Sequence, residues 1–269
     1  MKNLVVRLSS LTLKNIKNVE NGTIVMPLAN EQDFKNVKAE ILGIYGQNGS
    51  GKTAIVDALY FLQSIMIGET LDPTISDYIT TDAMNAEVNA EFKIFGEGVL
   101  YEAGYHIVFS KVDDEVTIER EYLNGAISQD GHRTSKNIFI DYQKAQSDVI
   151  FKPLKRLEEL IGKDKNVKMD LLVARKMAEK SNCSYIFGKD SRDIFFKKND
   201  QFKNYALVIQ ALFDFALKDL FVIKSSHSGM ISANLLVPMA FRIEKDKKGM
   251  KGDFAAQNQT TPESQAHNS

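Results

Sequence analysis

An α/β fold is predicted by three features of the sequence. A short apolar run breaks at a glycine-rich loop and passes into a helical period. Three alternating segments follow it, and a helical pattern then takes over the second half of the chain. At 269 residues, with 43% hydrophobic and 26% charged residues, the composition is that of an ordinary globular protein.

Leu4 to Met26 reads as two extended segments in which Leu11, Leu13, Ile16, Val19, Ile24 and Met26 alternate with polar residues. A polar loop, Ala29 to Lys38, separates them from Ile41-Leu42-Gly43-Ile44-Tyr45. That nearly continuous apolar run is expected to be a strand buried on both faces. From Lys52 the period becomes helical, with Ile55, Leu59, Leu62 and Met66 on one face and Gly68 placed to end the helix.

Ala90 to Phe95, Tyr101 to Phe109 and Val116 to Tyr122 read as three strands of an antiparallel meander, with turn residues between them. Beyond Gln143 helices are expected over Val149 to Ile161 and Lys168 to Lys180. A third carries Phe202, Tyr205, Ile209, Leu212, Phe213 and Ala216 on one stripe, which reads as core. Leu220 to Ile223 is a possible further strand, and Met230 to Phe241 is apolar without a clear period. Glu244 to Ser269 contains no Leu, Ile or Val and reads as a disordered tail.

The N-terminal apolar stretch, Leu4 to Val6, is too short for a signal sequence, and no apolar run reaches membrane-spanning length, so a cytoplasmic protein without membrane contact is expected. Cys183 is the single cysteine, which points to a reduced, metal-free chain. Net charge is −1 but unevenly distributed: residues 1–143 carry 12 Lys or Arg against 20 Asp or Glu, and residues 144–203 carry 15 against 9. The basic middle segment admits two readings, an anionic partner such as nucleic acid or a helical region with a solvated lysine face.

Gly46-Gln47-Asn48-Gly49-Ser50-Gly51-Lys52-Thr53 fits the P-loop pattern G-x-x-x-x-G-K-[ST]. Gly46 and Gly51 let the backbone curl so that consecutive N–H groups converge on phosphates. The helix beginning near Lys52 adds its positive end. Lys52 is expected to reach the β- and γ-phosphates, and the Thr53 hydroxyl to ligate Mg²⁺. All eight residues are therefore candidates for binding ATP with magnesium.

Within this loop, Asn48 to Thr53 resembles the N-G-x-G-K-[ST] loop of ABC-like ATPases. Leu11-Thr12-Leu13-Lys14-Asn15-Ile16-Lys17-Asn18-Val19 is similar to the segment that opens the SMC, RecF and OLD-type ATPases. Leu8 to about Leu123 resembles the N-terminal lobe of AAA-family ATP-binding proteins of that branch, and the helical middle resembles their variable insertion. The resemblance implies an ABC-ATPase-type P-loop fold with three parts: an ATP-binding lobe at 1–143, a mainly helical insertion at 144–243 and the tail at 244–269. It also implies ATP-driven dimerisation, hydrolysis, and a context of DNA transactions or phage defence.

Such ATPases complete their site with a signature motif, a Walker B strand ending in Asp-Glu and a switch histidine, none of which the sequence displays. Ile138-Phe139-Ile140-Asp141 is followed by Tyr142 where a glutamate is required, so Asp141 reads as a strand-end or turn residue. His227 reads as a loop residue, and His106 and His132 as strand and turn residues without ligand partners. The sequence reads as one half of an ATPase site, truncated or completed by self-association or by a partner. Three functions follow: an ATPase subunit, a nucleotide-binding module without turnover, and a nucleic-acid binder using residues 152–203 with ATP as a switch.

Overall fold

The computed structural model describes residues 4–27, 29, 42–47, 49–96, 98–112, 115–129, 132–135, 137–146, 150–151, 165–197, 199–220 and 222. The expectations for the loop 29–38, most of the helix at 149–161, the stretch 230–241, His227 and the tail lie wholly or largely outside those residues.

Among the described residues eight strands form one sheet: β1 (Val5–Ile16), β2 (Val19–Val25), β3 (Asn85–Gly96), β4 (Val99–Val112), β5 (Glu115–Gln129), β6 (His132–Arg133), β7 (Asn137–Gln143) and β8 (Ile150–Phe151). Their order is β2-β1-β3-β4-β5-β7-β8, with β6 on β5, and every pairing is antiparallel. The three meander strands are each longer than the sequence pattern indicates. In β3 the alternation is complete, with Ala86, Val88, Ala90, Phe92 and Ile94 buried and the intervening residues facing outward.

Helices α1 (Lys52–Met66), α2 (Lys165–Ser181), α3 (Lys189–Lys197) and α4 (Asn199–Lys218) pack on the apolar face. Phe61 of α1 meets Phe109 at 4.5 Å, Phe215 of α4 meets Phe92 edge-on at 5.8 Å, and Tyr205 meets Phe139 edge-on at 5.4 Å. Gln63 ties α1 to the end of α4 by donating to the Ala216 carbonyl at 3.1 Å and to the Leu220 carbonyl. Helix α1 stops where predicted: Gly68 has φ +77°, and a Cβ there would lie 2.5 Å from the Phe187 carbonyl oxygen. Helix α3, with nine residues, is too short to give the periodicity that exposes the longer helices.

A one-residue bulge in β5 decides what the core contains. Val108 pairs with Arg120 and Phe109 with Ile118, so Glu119 is the extra residue and the inward parity changes beyond it. Val116 and Ile118 face inward before the bulge, Glu121 and Leu123 after it. Glu121 is consequently 0% exposed. It accepts from Tyr105 Oη at 2.7 Å, from Ser184 Oγ, and from the Tyr185 and Ile186 amides at 2.9 and 3.5 Å. Burial nevertheless pushes its carboxyl above the ordinary range, outweighing the donors.

The loop that supplies three of these donors joins α2 to α3. Ser184 Oγ also accepts from the Phe187 amide at 2.8 Å, and Asn182 donates to the Val116 carbonyl at 2.6 Å. Burial pushes the neighbouring Cys183 thiol up to about 11, which suits a packed side chain and not a reactive thiolate.

The outer face of the sheet is polar. Glu87 joins Lys14 at 2.7 Å and His106 Nε2 at 3.1 Å, and His106 lies 4.6 Å from the Tyr122 ring. Asp141 is buried inside β7, not at a strand end or turn, because Arg120 holds it bidentately at 2.9 and 2.8 Å. His132 likewise lies in a short strand, β6, rather than in a turn.

Glu121→Ala leaves the four donors without their acceptor and should cost about 3–5 kcal/mol of stability, measured by urea denaturation. Acid should destabilise the fold in two stages. Burial lowers His106 below its ordinary 6.5, so the unfolded chain takes up that proton first and stability falls as pH drops from neutrality. Burial acts to raise Glu87, but hydrogen bonds from Lys14 and His106 outweigh it and hold the carboxyl below 4.5, so its contribution is lost as pH falls through the lowered folded value. A His106→Gln variant that loses as much stability as wild type between pH 7 and pH 5 contradicts the first assignment, and a Glu87→Gln variant that keeps the wild-type loss below pH 4.5 contradicts the second.

Candidate nucleotide site

The glycine loop lies between an exposed segment and the start of α1. Leu42 to Gln47 belongs to no strand, and Leu42, Ile44 and Tyr45 are 37%, 42% and 94% exposed. The expectation of a buried strand before the loop is thus corrected. A strand needs a neighbour to take its N–H and C=O groups, and among the described residues no ladder includes this segment.

The loop itself adopts the backbone that its glycines predict. Gly49 has φ +85° and Gly51 φ +86°, both in the left-handed region that side chains disfavour. Gly51 is also crowded, since a Cβ there would lie 2.6 Å from Val19 Cγ2. At Gly46 a Cβ would lie 2.6 Å from Ser50 Oγ, so the first and fifth positions of the loop close on each other. The Ser50 amide donates to the Gln47 carbonyl at 3.2 Å. Asn48 lies outside the described residues.

Lys52 opens α1 and folds back over the loop. Its Nζ donates to the carbonyls of Gly46 and Gln47 at 2.7 and 2.6 Å and to Ser50 Oγ at 3.2 Å. The ammonium is therefore held at the loop's mouth by acceptors that an anionic ligand can replace. Gly51 is the N-cap of α1 and provides no side-chain acceptor, which leaves the first-turn N–H groups open to a ligand. Thr53 is exposed in that same turn. These features fit a triphosphate: curled glycines, a lysine ammonium and an uncapped helix start converge within eight residues.

The turn between β1 and β2 also reaches this site, which the sequence pattern does not disclose. Lys17, with φ +53°, pairs through Nζ with the buried Asp57 of α1. Asn18 donates its side-chain amide to the Gly49 carbonyl. The only sequence signal for either residue is its place within the segment Leu11 to Val19 that resembles the SMC and RecF opening strand.

The other candidates lie elsewhere. Asp141 stands on β7, four strands from β1, which is about 19 Å across the sheet at ordinary strand spacing. With Arg120 occupying both carboxylate oxygens, Asp141 does not serve the loop. His106 is engaged by Glu87 on the outer face.

A family model described as AAA domain matches residues 10–260. The DNA replication and repair protein RecF of Deinococcus radiodurans is 32% identical over 99 residues, which are 37% of this chain and 24% of that protein. The chain thus matches about a quarter of that relative's length. A solved structure of the recombination mediator protein RecF-ATP in the RecFOR pathway shares 16% identity, with a TM-score of 0.26, over 80% of this chain and 55% of the other. Among the described residues no helix is long and apolar enough to cross a membrane. With the family match spanning nearly the whole sequence and the glycine loop folded around its lysine, the chain belongs to the AAA domain family.

Proposed function

We propose that this chain binds ATP with magnesium through Gly46 to Thr53 and forms one half of a hydrolytic site. The observation that carries this reading is the loop geometry: two left-handed glycines with the Lys52 ammonium held over them at the start of α1. Gly46, Gly49 and Gly51 shape the cradle, the backbone of Gln47, Gly49 and Ser50 lines it, Lys52 neutralises the β- and γ-phosphates, and Thr53 ligates the metal. Bound magnesium supplies charge stabilisation to the transferring phosphoryl group.

The second half comes from self-association or from a partner. The exposed apolar segment Leu42 to Tyr45 supports this, because such a run beside a ligand loop is the kind of surface that another segment covers. The name of the curated relative supports a DNA transaction as the setting. A second reading, a nucleotide-binding module without turnover, is favoured by the engagement of Asp141 with Arg120, since the acid that ends the apolar run Ile138 to Ile140 is held away from metal binding.

Titration calorimetry separates these readings. Magnesium-ATP should bind the wild-type chain, and Lys52→Ala should weaken it by at least about 100-fold through loss of the ammonium. Equal affinity in the two proteins sinks the site. Turnover by the purified chain that disappears in Lys52→Ala favours the hydrolytic reading, while tight binding without turnover favours the module. The glycines should differ in a graded way: Gly49→Ala bears the left-handed strain of about 1–2 kcal/mol, and Gly51→Ala bears the same strain plus its contact with Val19. Denaturation midpoints that place the two variants in the reverse order contradict this loop geometry.

A further inference from the structure

The β1–β2 turn is held from three directions. The Lys17 amide donates to the Tyr78 carbonyl at 2.6 Å, Thr80 Oγ1 donates to the Lys17 carbonyl at 2.7 Å, and the Thr80 amide donates to the Asn15 carbonyl at 3.0 Å. The Lys17 ammonium pairs with Asp57 and lies 5.3 Å from the centre of the Tyr78 ring. Asn15 and Lys17 both have positive φ, at +54° and +53°, so the turn keeps a conformation that its residues disfavour. Asn18 therefore projects from a fixed platform.

Asn18 is exposed and lies outside the apolar core, yet its side-chain amide donates to the Gly49 carbonyl across a separation of 31 residues. Its neighbour Val19 stands where a Cβ of Gly51 would be. We infer that Asn18 is a positioning residue of the nucleotide site, which sets the direction of the Gly49–Ser50 peptide and thereby of the N–H that faces a bound phosphate. The reason is the planarity of the peptide unit: a carbonyl held on one side fixes the following N–H on the other. In the structure that N–H donates to Gln47 at 3.2 Å, a long bond that a phosphate oxygen displaces without moving Asn18. The left-handed Gly49 has open space around its Cβ position, so local packing does not fix its carbonyl. The amide of Asn18 does.

This inference rests on the reading of Gly46 to Thr53 as the triphosphate site, and its test keeps the two apart. The affinity for magnesium-ATP is measured by calorimetry on the whole chain, beside the thermal midpoint, for Asn18→Ala, Asn18→Gln, Asn18→Asp and Lys52→Ala. Asn18→Ala should weaken binding about tenfold with the midpoint unchanged, the scale of one lost hydrogen bond. Asn18→Gln keeps the donor and should recover to within about threefold of wild type, and Asn18→Asp, which accepts and cannot donate, should not recover. Wild-type affinity in Asn18→Ala, no recovery in Asn18→Gln, recovery in Asn18→Asp, or a fall in midpoint that accompanies the loss each overturn the positioning role. If Lys52→Ala loses binding while Asn18→Ala keeps it, only this inference fails; if Lys52→Ala binds as wild type does, the site reading itself fails.

Discussion

The buried carboxylate of Glu121 joins the two layers of this fold. It sits on β5 in the middle of the sheet, takes one donor from β4 through Tyr105, and takes three from the loop at 184–186 that connects α2 to α3. A carboxylate in a dry core is tolerated only when its oxygens are fully engaged, so the loop has to stay where it is for the sheet to keep its residue. That loop in turn receives the end of α1, because Gly68 packs its backbone against Phe187. The placement of α1 on the sheet thus depends on a contact far from the glycine loop that precedes it.

The bulge at Glu119 is the cause of this arrangement. Without an extra residue Arg120 would face the helices and Glu121 the outer face, since side chains alternate strictly along a regular strand. With it, Arg120 turns outward to hold Asp141 and lies 4.9 Å from the centre of the Tyr122 ring. One inserted residue therefore sends one charge to the core and its neighbour to the outer face. Asp141, which the sequence places at the end of the apolar run Ile138 to Ile140, becomes the counter-ion of that arginine.

The β1–β2 turn links the sheet to the glycine loop. Lys17 attaches it to α1 through Asp57, Asn18 to the loop through Gly49, and Val19 occupies the space that the missing side chain of Gly51 leaves. The loop is consequently supported from outside as well as by its own turn and by Lys52. A nucleotide cradle built on glycine has little conformational preference of its own, so external contacts of this kind are what give it a single shape.

The left-handed glycines of the loop, the helix after them, the alternating strands and the long amphipathic helices were legible in the sequence because each depends on neighbours within a turn or two of chain. Left-handed glycines, a lysine at the start of a helix and period-two burial are local properties. The exposed state of Leu42 to Tyr45 was not legible, because an apolar pentapeptide carries no record of whether another strand lies beside it. Nor was α3, nine residues long, or the engagement of Asp141 with Arg120, 21 residues away. Glu121 meets Ser184 across 63 residues and Lys17 meets Asp57 across 40, and the first of these contacts exists only because a bulge changed the parity of β5. The sequence by itself determined which residues form the glycine loop and which segments become strands and helices. The tertiary structure alone decided which charges are buried, which acid pairs with Arg120 and what supports the loop, because those depend on register and on pairs that the chain brings together only when it folds.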